Sequence, residues 1–275
     1  MTAPASPAKA QRAPLATPLF RALWIATIVS NIGTWMNDVG SSWLMTSLSP
    51  SPLWVAMVQA ATTLPMFLFA LPGGALADVV DRRKLLIASQ LLILIGATSL
   101  ALVTHLNLTT PVILLALTAV MGLGAALSAP AFQAIVPELV EKRALPDAIA
   151  LNGLGINIAR AIGPALGGLI VAIAGSAAVY ALNAVSILAV LSVLIAWKRK
   201  PTVGDLPAEH FLGALSAGYR YARHAPALQL VLLRSIAFFL FSSALWALLP
   251  VLGRRELGLS AAGYGALLGC MATSR

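Results

Sequence analysis

The sequence predicts an all-helical protein that crosses a membrane several times. Of its 275 residues, 59% are hydrophobic and only 10% are charged, and the mean hydropathy is +0.90. A soluble domain carries about a quarter charged residues, and a soluble fold of this length could not bury so much apolar surface. The apolar residues are also gathered in runs long enough to span a bilayer. Composition and run length together favour a polytopic membrane protein of the all-α class.

Seven apolar stretches have the length of a membrane crossing, for which a helix needs about 20 residues. They occupy residues 22–46, 53–77, 84–105, 110–135, 146–173, 176–197 and 229–252. An eighth stretch begins near Leu259, but the chain reaches Arg275 before this stretch has the length of a crossing. We therefore expect a chain that is cut short within its eighth helix.

The basic residues indicate the orientation in the membrane. The net charge is +9, and fourteen of the eighteen Lys and Arg residues fall on one side if the N-terminus is cytoplasmic. The first three loops on the other side, residues 47–52, 106–110 and 174–176, contain none. Short cytoplasmic loops collect Lys and Arg, so the charge is interpreted as topology rather than as a nucleic-acid site. The prediction is a multi-pass protein of the plasma (inner) membrane with a cytoplasmic N-terminus, whose partner is the lipid bilayer and not nucleic acid.

Composition divides the chain into four parts. Residues 1–20 are rich in Pro, Ala and Ser, lack the apolar core of a signal peptide and are expected to form a disordered cytoplasmic tail. Residues 21–197 hold six closely spaced spans, and residues 229–275 hold the truncated start of a second bundle. The long cytoplasmic loop 198–228 separates the two. Its apolar residues at helical spacing favour an amphipathic surface helix over a solvated linker helix; they are Phe211, Leu212, Leu215 and Tyr219.

The sequence contains none of the enzyme motifs that we sought. It has no His-Glu-x-x-His, no glycine-rich nucleotide loop and no Gly-x-Ser-x-Gly. Its single cysteine, Cys270, excludes an internal disulfide and a cysteine-rich metal site. We therefore expect no enzymatic activity, no cofactor and no metal.

Residues 73–84, GGALADVVDRRK, form the short predicted turn between the second and third spans. This turn resembles the signature loop of the major facilitator superfamily, Gly-x-Leu-Ala-Asp-Arg-x-Gly-Arg-Lys, at Gly74, Leu76, Ala77, Asp78, Arg82 and Arg83. Val79 and Asp81 depart from it, but Asp81 suits a turn and can cap the third helix.

This resemblance implies a fold of two six-helix bundles that rock about a central site. The chain would hold the complete N-terminal bundle and the first one to two helices of the C-terminal bundle. The resemblance also implies a gating loop in which Asp78 latches onto the second bundle and Gly74 lets helices approach closely. The loop consists of Gly74, Asp78, Arg82 and Arg83.

The fifth span contains a second motif, ARAIGPALGG. It resembles the Gly-Pro-x-x-Gly-Gly motif of antiporter-type exporters at Gly163, Pro164, Gly167 and Gly168. The glycines permit close packing and the proline bends or loosens the helix, which gives either a pliant gate or plain helix packing. NIGTWMNDVGSSWL and PELVEKRALPDAIALN are similar to the branch of transmembrane secretion effectors, which includes enterobactin-exporter-like and macrolide-efflux-like proteins. One departure is Thr118, where many drug/proton antiporters of the superfamily have an arginine.

Two charged residues lie deep inside predicted spans. Asp38 lies 17 residues after Arg21, about 25 Å along a helix, and Arg160 lies near the middle of the fifth span. A charge in the bilayer is costly, so each is a candidate functional group. One hypothesis is that Asp38 binds a proton or a cationic substrate, with Arg160 as its modulating partner. The alternatives are a structural Asp38–Arg160 pair and a water-filled outer vestibule.

Six amide side chains also lie within predicted spans: Asn31, Gln59, Gln90, Asn152, Asn157 and Asn183. Most of them are expected to bond neighbouring helices, and some to line a cavity.

These features favour a secondary active transporter of the major facilitator type. It would export a small amphipathic molecule, drug-like or siderophore-like, by proton antiport with alternating access. Its partners would be the small-molecule substrate, protons and the missing C-terminal half of the transporter. The alternatives are a truncated remnant that does not transport and a seven-span membrane receptor. The transporter signature in a short cytoplasmic loop argues against the receptor.

Overall fold

The structure, a computed structural model, describes residues 13–197 and 223–273. Within these ranges all regular elements are helices. The first four long helices are α1 (Pro18–Leu48), α2 (Pro52–Val79), α3 (Arg82–His105) and α4 (Pro111–Leu139). The next stretch, Leu145–Ala196, breaks at Gly175, and its parts are α5 (residues 145–174) and α6 (residues 176–196). The last two are α7 (Pro226–Val251) and α8 (Ala261–Thr273), joined through a π-helical turn, Leu252–Glu256. Short 3₁₀ turns cover Pro14–Ala16 and Lys142–Ala144.

Local sequence explains where several helices begin. Proline occupies the first turn of α1, α2, α4 and α7, where its missing N–H leaves no hydrogen bond unmade. The backbone N–H of Lys84 donates to the Asp81 carboxylate at 2.9 Å, so the predicted cap of α3 is confirmed. Gly175 has φ +79°, a left-handed conformation that glycine adopts without strain, and there the chain turns from α5 into α6.

The helical region starts earlier than the composition indicates. Leu15 and Leu19 pack against the core, and Phe20 is only 2% exposed. The prediction that residues 1–20 form one disordered tail is therefore wrong for residues 14–20, because these few apolar side chains find a place between the helices. Residues 1–12 and 198–222 lie outside the described residues, and with them most of the predicted amphipathic helix.

Four helical segments of the described residues are long and apolar enough to cross a membrane. They are Pro52–Phe69, Arg82–His105, Pro111–Leu139 and Lys142–Ala196, and the last is divided by the break at Gly175. Large apolar side chains point outward from the bundle, among them Phe67, Ile173 and Ile195, which are 82%, 75% and 60% exposed. A bundle with an apolar outer surface suits a lipid environment. The predicted fold class, an all-α polytopic membrane bundle, is confirmed.

Small residues let the helices of this bundle approach closely. α1 runs beside α5 and α6, where an added Cβ at Gly167 would lie 2.8 Å from the Met36 Cα, and one at Gly33 would lie 2.8 Å from Asn183 Oδ1. α2 packs on α4 in the same way, because a Cβ at Gly122 would lie 3.0 Å from the Ala61 carbonyl oxygen. Close contact through small residues is how helices associate in lipid.

The bundle has two ends, which we name after their turns. The α2–α3 end carries the α2–α3 and α4–α5 turns and the starts of α1 and α7. The α1–α2 end carries the α1–α2, α3–α4, α5–α6 and α7–α8 turns. At this second end, Val251 of α7 packs against a buried cluster that includes Val55, Val58 and Tyr180. α8 packs along α5.

Candidate functional site

A cavity of about 660 Å³ lies where α1 and α5 meet α7 and α8. The structure brings Asp38 and Arg160 together in its wall. We call it the charged cavity, and its lining residues are Trp35, Asp38, Val39, Ser42, Gln59, Asn157, Arg160, Ala161, Pro164, Trp246, Tyr264, Leu268 and Met271. Because Trp246, Tyr264, Leu268 and Met271 follow the long central segment, both halves of the chain contribute to this cavity.

Asp38 and Arg160 face the charged cavity without forming an ion pair with each other. No salt bridge between these two described residues is present. Instead, the Arg160 guanidinium carbon lies 5.5 Å from the centre of the Trp35 ring, a cation–π contact. The alternative of a structural Asp38–Arg160 pair is therefore not what this structure contains. A carboxylate and a guanidinium are both turned toward the same volume, where a ligand or a proton can reach them.

The glycine motif of α5 has two faces. Gly163 and Gly167 face α1. Gly168 faces α8, where an added Cβ would lie 2.9 Å from the Gly265 Cα. One turn further, an added Cβ at Gly269 would lie 3.0 Å from the Ala161 carbonyl oxygen.

This motif therefore joins the first bundle to the second half of the chain. Within α5 and α6 the only non-helical residue is Gly175, so the helix continues through Pro164 without a break. The sequence reasoning missed the α8 partner, although Gly265 and Gly269 form a Gly-x-x-x-Gly pattern that is typical of close helix packing.

A second cavity of about 450 Å³ lies between α1, α4 and α5 and reaches α3 at its back. We call it the neutral cavity, because none of the described residues that line it is ionisable. Trp35 lies in the walls of both cavities. The aromatic lining residues are Phe20, Trp24, Trp35 and Phe132, and the polar ones are Thr27, Ser30, Asn31, Gln90, Ser128, Gln133 and Asn152.

The amides within the spans are mostly cavity residues. Asn31, Gln90 and Asn152 line the neutral cavity, and Gln59 and Asn157 line the charged cavity. The expectation that most of the six would only bond neighbouring helices is therefore wrong. Only Asn183, which is fully buried beside Ser186, lies away from both cavities. Thr118 is 1% exposed and lines neither cavity.

The arginines of the signature loop bind within the first six helices. Arg82 forms an ion pair with Glu138 of α4 at 2.9 Å and also donates to the Ala134 carbonyl at 3.1 Å. Arg83 donates to the carbonyls of Leu194 and Ile195 at 2.7 and 2.9 Å, which belong to the last turn of α6. Sequence reasoning missed Glu138. It is one of only nine acidic residues, and it lies in the last turn of α4, at the same end of the bundle as Arg82.

The role predicted for Gly74 is wrong for the contacts that the structure describes. An added Cβ at Gly74 would meet nothing within 4 Å, whereas one at Gly73 would lie 3.1 Å from the Ala126 carbonyl oxygen. Gly73 is therefore the residue that lets α2 approach α4. The side chain of Asp78 is outside the described part of the structure, so its role as a latch stays a prediction.

A further pair of arginines lies at the α1–α2 end, on the π-helical turn between α7 and α8. Arg254 donates to the hydroxyls of Thr46 and Ser47, both at 2.6 Å, and lies 5.2 Å from the centre of the Trp43 ring. Arg255 donates to the Pro50 carbonyl. Tyr264 extends this contact, because its ring stacks on that of Trp43 with 5.9 Å between the ring centroids. The only signal for this contact in the sequence is that both arginines break the charge asymmetry of the loops.

Known proteins resemble this chain over most of its length. The family model described as "Transmembrane secretion effector" matches residues 9–274. The Staphyloferrin A transporter of Staphylococcus aureus (strain NCTC 8325 / PS 47) is 29% identical over 146 residues, which are 52% of this chain and 36% of that protein. The Enterobactin exporter EntS of Shigella boydii serotype 18 (strain CDC 3083-94 / BS512) is 29% identical over 209 residues, which are 76% of this chain and 50% of that protein.

The chain thus spans half, or less, of the length of these relatives. A solved structure of a bacterial homologue of the human lysosomal transporter Spinster, in an inward-facing and unoccupied conformation, has a TM-score of 0.72 at 15% identity. The match covers 93% of this chain and 59% of that one, and at this identity it shows the fold alone. Because the family model matches nearly the whole chain, the protein belongs to the transmembrane secretion effectors of the major facilitator superfamily. The two motifs predicted the superfamily, and the two similar stretches predicted the branch.

Proposed function

We propose that this chain forms half or more of a secondary active exporter that moves a small amphipathic molecule outward in exchange for protons. The observation that carries the proposal is the charged cavity, where Asp38 and Arg160 face one volume without pairing with each other. Transport coupled to protons needs a group inside the membrane whose charge can change. Within the described lining of this cavity, Asp38 is the only carboxylate.

A proton and a substrate can compete for Asp38. An ionised carboxylate at this depth is costly unless a cation or a hydrogen-bond donor compensates it. A cationic group of the substrate, or the nearby Arg160 guanidinium, would compensate the ionised form, whereas protonation would remove the need for either. Loading a proton from outside would therefore release the substrate, and losing it inside would restore the binding site.

The α2–α3 end is proposed to be cytoplasmic and the α1–α2 end to face outward across the plasma (inner) membrane. The distribution of Lys and Arg over the loops supports this orientation. The halves of the chain meet at the α1–α2 end through Arg254, Arg255 and Val251. In this orientation the contacts hold the halves together on the outer side, as an exporter needs when it takes up its load from the cytoplasm.

The proposed substrate class is an amphipathic molecule that is drug-like or siderophore-like. The two relatives named above carry siderophore names, a staphyloferrin transporter and an enterobactin exporter. The paired cavities, one charged and one neutral, suit a molecule with an ionic and an uncharged part. A truncated remnant without transport is the competing outcome.

The test is transport by the complete protein in proteoliposomes with an imposed pH gradient. Ethidium and iron-free enterobactin serve as probes, a cation and a siderophore. We expect gradient-driven movement of at least one probe, its loss in Asp38→Asn, and partial retention in Asp38→Glu because the carboxylate is kept. Gradient-driven transport that survives Asp38→Asn at normal expression would contradict the proton-coupling role. Absence of transport for both probes would contradict the proposed function.

A further inference from the structure

The neutral cavity contains two hydrogen-bonding atoms that no described residue partners. They are Gln90 Oε1 and Thr27 Oγ1, both buried atoms of residues that line the cavity. Gln90 itself is only 6% exposed. Leaving a buried polar atom without a partner costs free energy, which a donor in the cavity would recover once these side chains turn toward it.

Thr27 differs from three other threonines of the spans, and it shares its missing partner with Thr118, which lines neither cavity. Thr34, Thr62 and Thr63 donate to main-chain carbonyls one turn earlier in their own helices, at 3.1, 3.1 and 2.8 Å. This bond is the usual way in which a helical threonine satisfies its hydroxyl. Thr27 lacks this bond although the residue lines the cavity, and its hydroxyl oxygen is buried.

The rest of the lining is aromatic and uncharged. The Trp24 Nε1 donates to the Leu151 carbonyl at 2.9 Å, which holds the indole ring in place and leaves Trp24 no donor for a ligand. Trp35, Phe20 and Phe132 add flat apolar surface. A volume of about 450 Å³ lies within the range of sites for small molecules.

We propose that the neutral cavity binds an uncharged aromatic ring that carries a hydroxyl or N–H donor, with Gln90 and Thr27 accepting its hydrogen bond. Trp35 separates this ring from the charged cavity, so an amphipathic substrate would place its ring on one side of Trp35 and its ionic group on the other. The inference rests on the proposed function only in naming the ligand as the transported molecule. Binding itself needs no gradient and no transport.

The test is equilibrium binding to the chain in lipid nanodiscs, with 1-naphthol and 1-methoxynaphthalene as probes. The two have the same ring system, and only the first carries a donor. Because Trp24 and Trp35 line the cavity, quenching of tryptophan emission reports occupancy. We expect 1-naphthol to bind about five- to tenfold more tightly, as one neutral hydrogen bond provides.

Two variants assign the donor preference to these residues. Gln90→Leu and Thr27→Val should each remove most of the preference for 1-naphthol and leave 1-methoxynaphthalene binding unchanged. Gln229→Leu makes the same change on an exposed residue of α7 and serves as the control. Circular dichroism checks that each variant folds. If one variant does not fold, the other alone tests the donor preference.

Equal binding of both probes to wild type, or a preference that survives both variants, would overturn the inference and identify an apolar cleft open to lipid chains. Absence of binding by either probe would overturn it as well. Donor-dependent binding together with absent gradient-driven transport would leave this inference standing and remove the proposed function.

Discussion

Two arginine pairs lie at opposite ends of the molecule, and they bind in different ways. At the α2–α3 end, Arg82 and Arg83 bind to α4 and α6, inside the first six helices. At the α1–α2 end, Arg254 and Arg255 reach from the α7–α8 junction to the end of α1. The first pair ties one bundle together, and the second pair ties the second half of the chain to that bundle.

The two arginine pairs also differ in the chemistry of their partners among the described residues, which include a carboxylate for the first pair and are neutral groups for the second. Arg82 has a carboxylate partner, Glu138, and ion-paired hydrogen bonds are among the stronger ones. The partners of Arg254 and Arg255 described above are hydroxyls, a carbonyl and an indole ring, next to the C-terminal end of α1, where the helix dipole favours cations. A transporter that alternates between two states needs rigid bundles and a reversible contact between them. The two pairs show that arginines can serve both purposes: Arg82 and Arg83 make a bundle rigid, and Arg254 and Arg255 form the contact between the halves.

The largest effect is expected where α5 meets α8. Gly168→Ala should destabilise the protein by about 1–3 kcal/mol, because its Cβ would overlap the backbone of α8. Gly153→Ala on the same helix meets nothing within 4 Å and should be neutral or stabilising by up to about 1 kcal/mol. SDS-induced unfolding followed by tryptophan emission measures both. Equal stability of the two variants would show that α8 does not pack on α5 in this way.

The next effect concerns the bundle itself. Arg82→Met should cost about 2 kcal/mol, because it leaves Glu138 without this partner and removes the bond to the Ala134 carbonyl. Lys84→Met removes a cation from an exposed residue of the same turn and should change stability by less than about 0.5 kcal/mol. The same unfolding assay separates them. A cost of Lys84→Met as large as that of Arg82→Met would mean that only the charge of the turn matters.

The smallest effect separates two adjacent glycines of α2. Gly73→Ala should be less stable than Gly74→Ala by about 1 kcal/mol, since only the first places its Cβ against α4. Unfolding of the two variants under identical conditions decides the sign. The reverse order would mean that α2 is rotated relative to its position here.

Much of the fold follows from the sequence, because each apolar run has nowhere to lie except in a membrane-spanning helix. Asp38 and Arg160 could be chosen because a charge in lipid is costly, and both line one cavity. The sequence could not predict in the same way which of Gly73 and Gly74 contacts a neighbouring helix. Consecutive residues of a helix point about 100° apart, and in a helix that is apolar on all sides the pattern does not indicate which side faces a neighbour.

Other parts of the site depend on contacts between segments far apart in the chain. Arg254 lies 208 residues from Thr46, and no local pattern connects them. Gln90 and Thr27 are ordinary polar residues of their spans, and their missing partners become visible only once α1 and α3 are packed. A topology rule that counts charges by loop treats Arg254 and Arg255 as exceptions, although they are contact residues.

The most direct test of the division between the two arginine pairs is the accessibility of a cysteine at Val55. Val55 is 3% exposed and lies in the buried cluster against which Val251 of α7 packs. Maleimide labelling of Val55→Cys would be measured with Cys270, which is exposed, replaced by alanine. We predict several-fold faster labelling in Arg254→Met, because α7 and α8 part from α1 and α2, and an unchanged rate in Arg82→Met. Equal acceleration in both variants, or none in Arg254→Met, would contradict the assignment of one pair to the bundle and the other to the contact between halves.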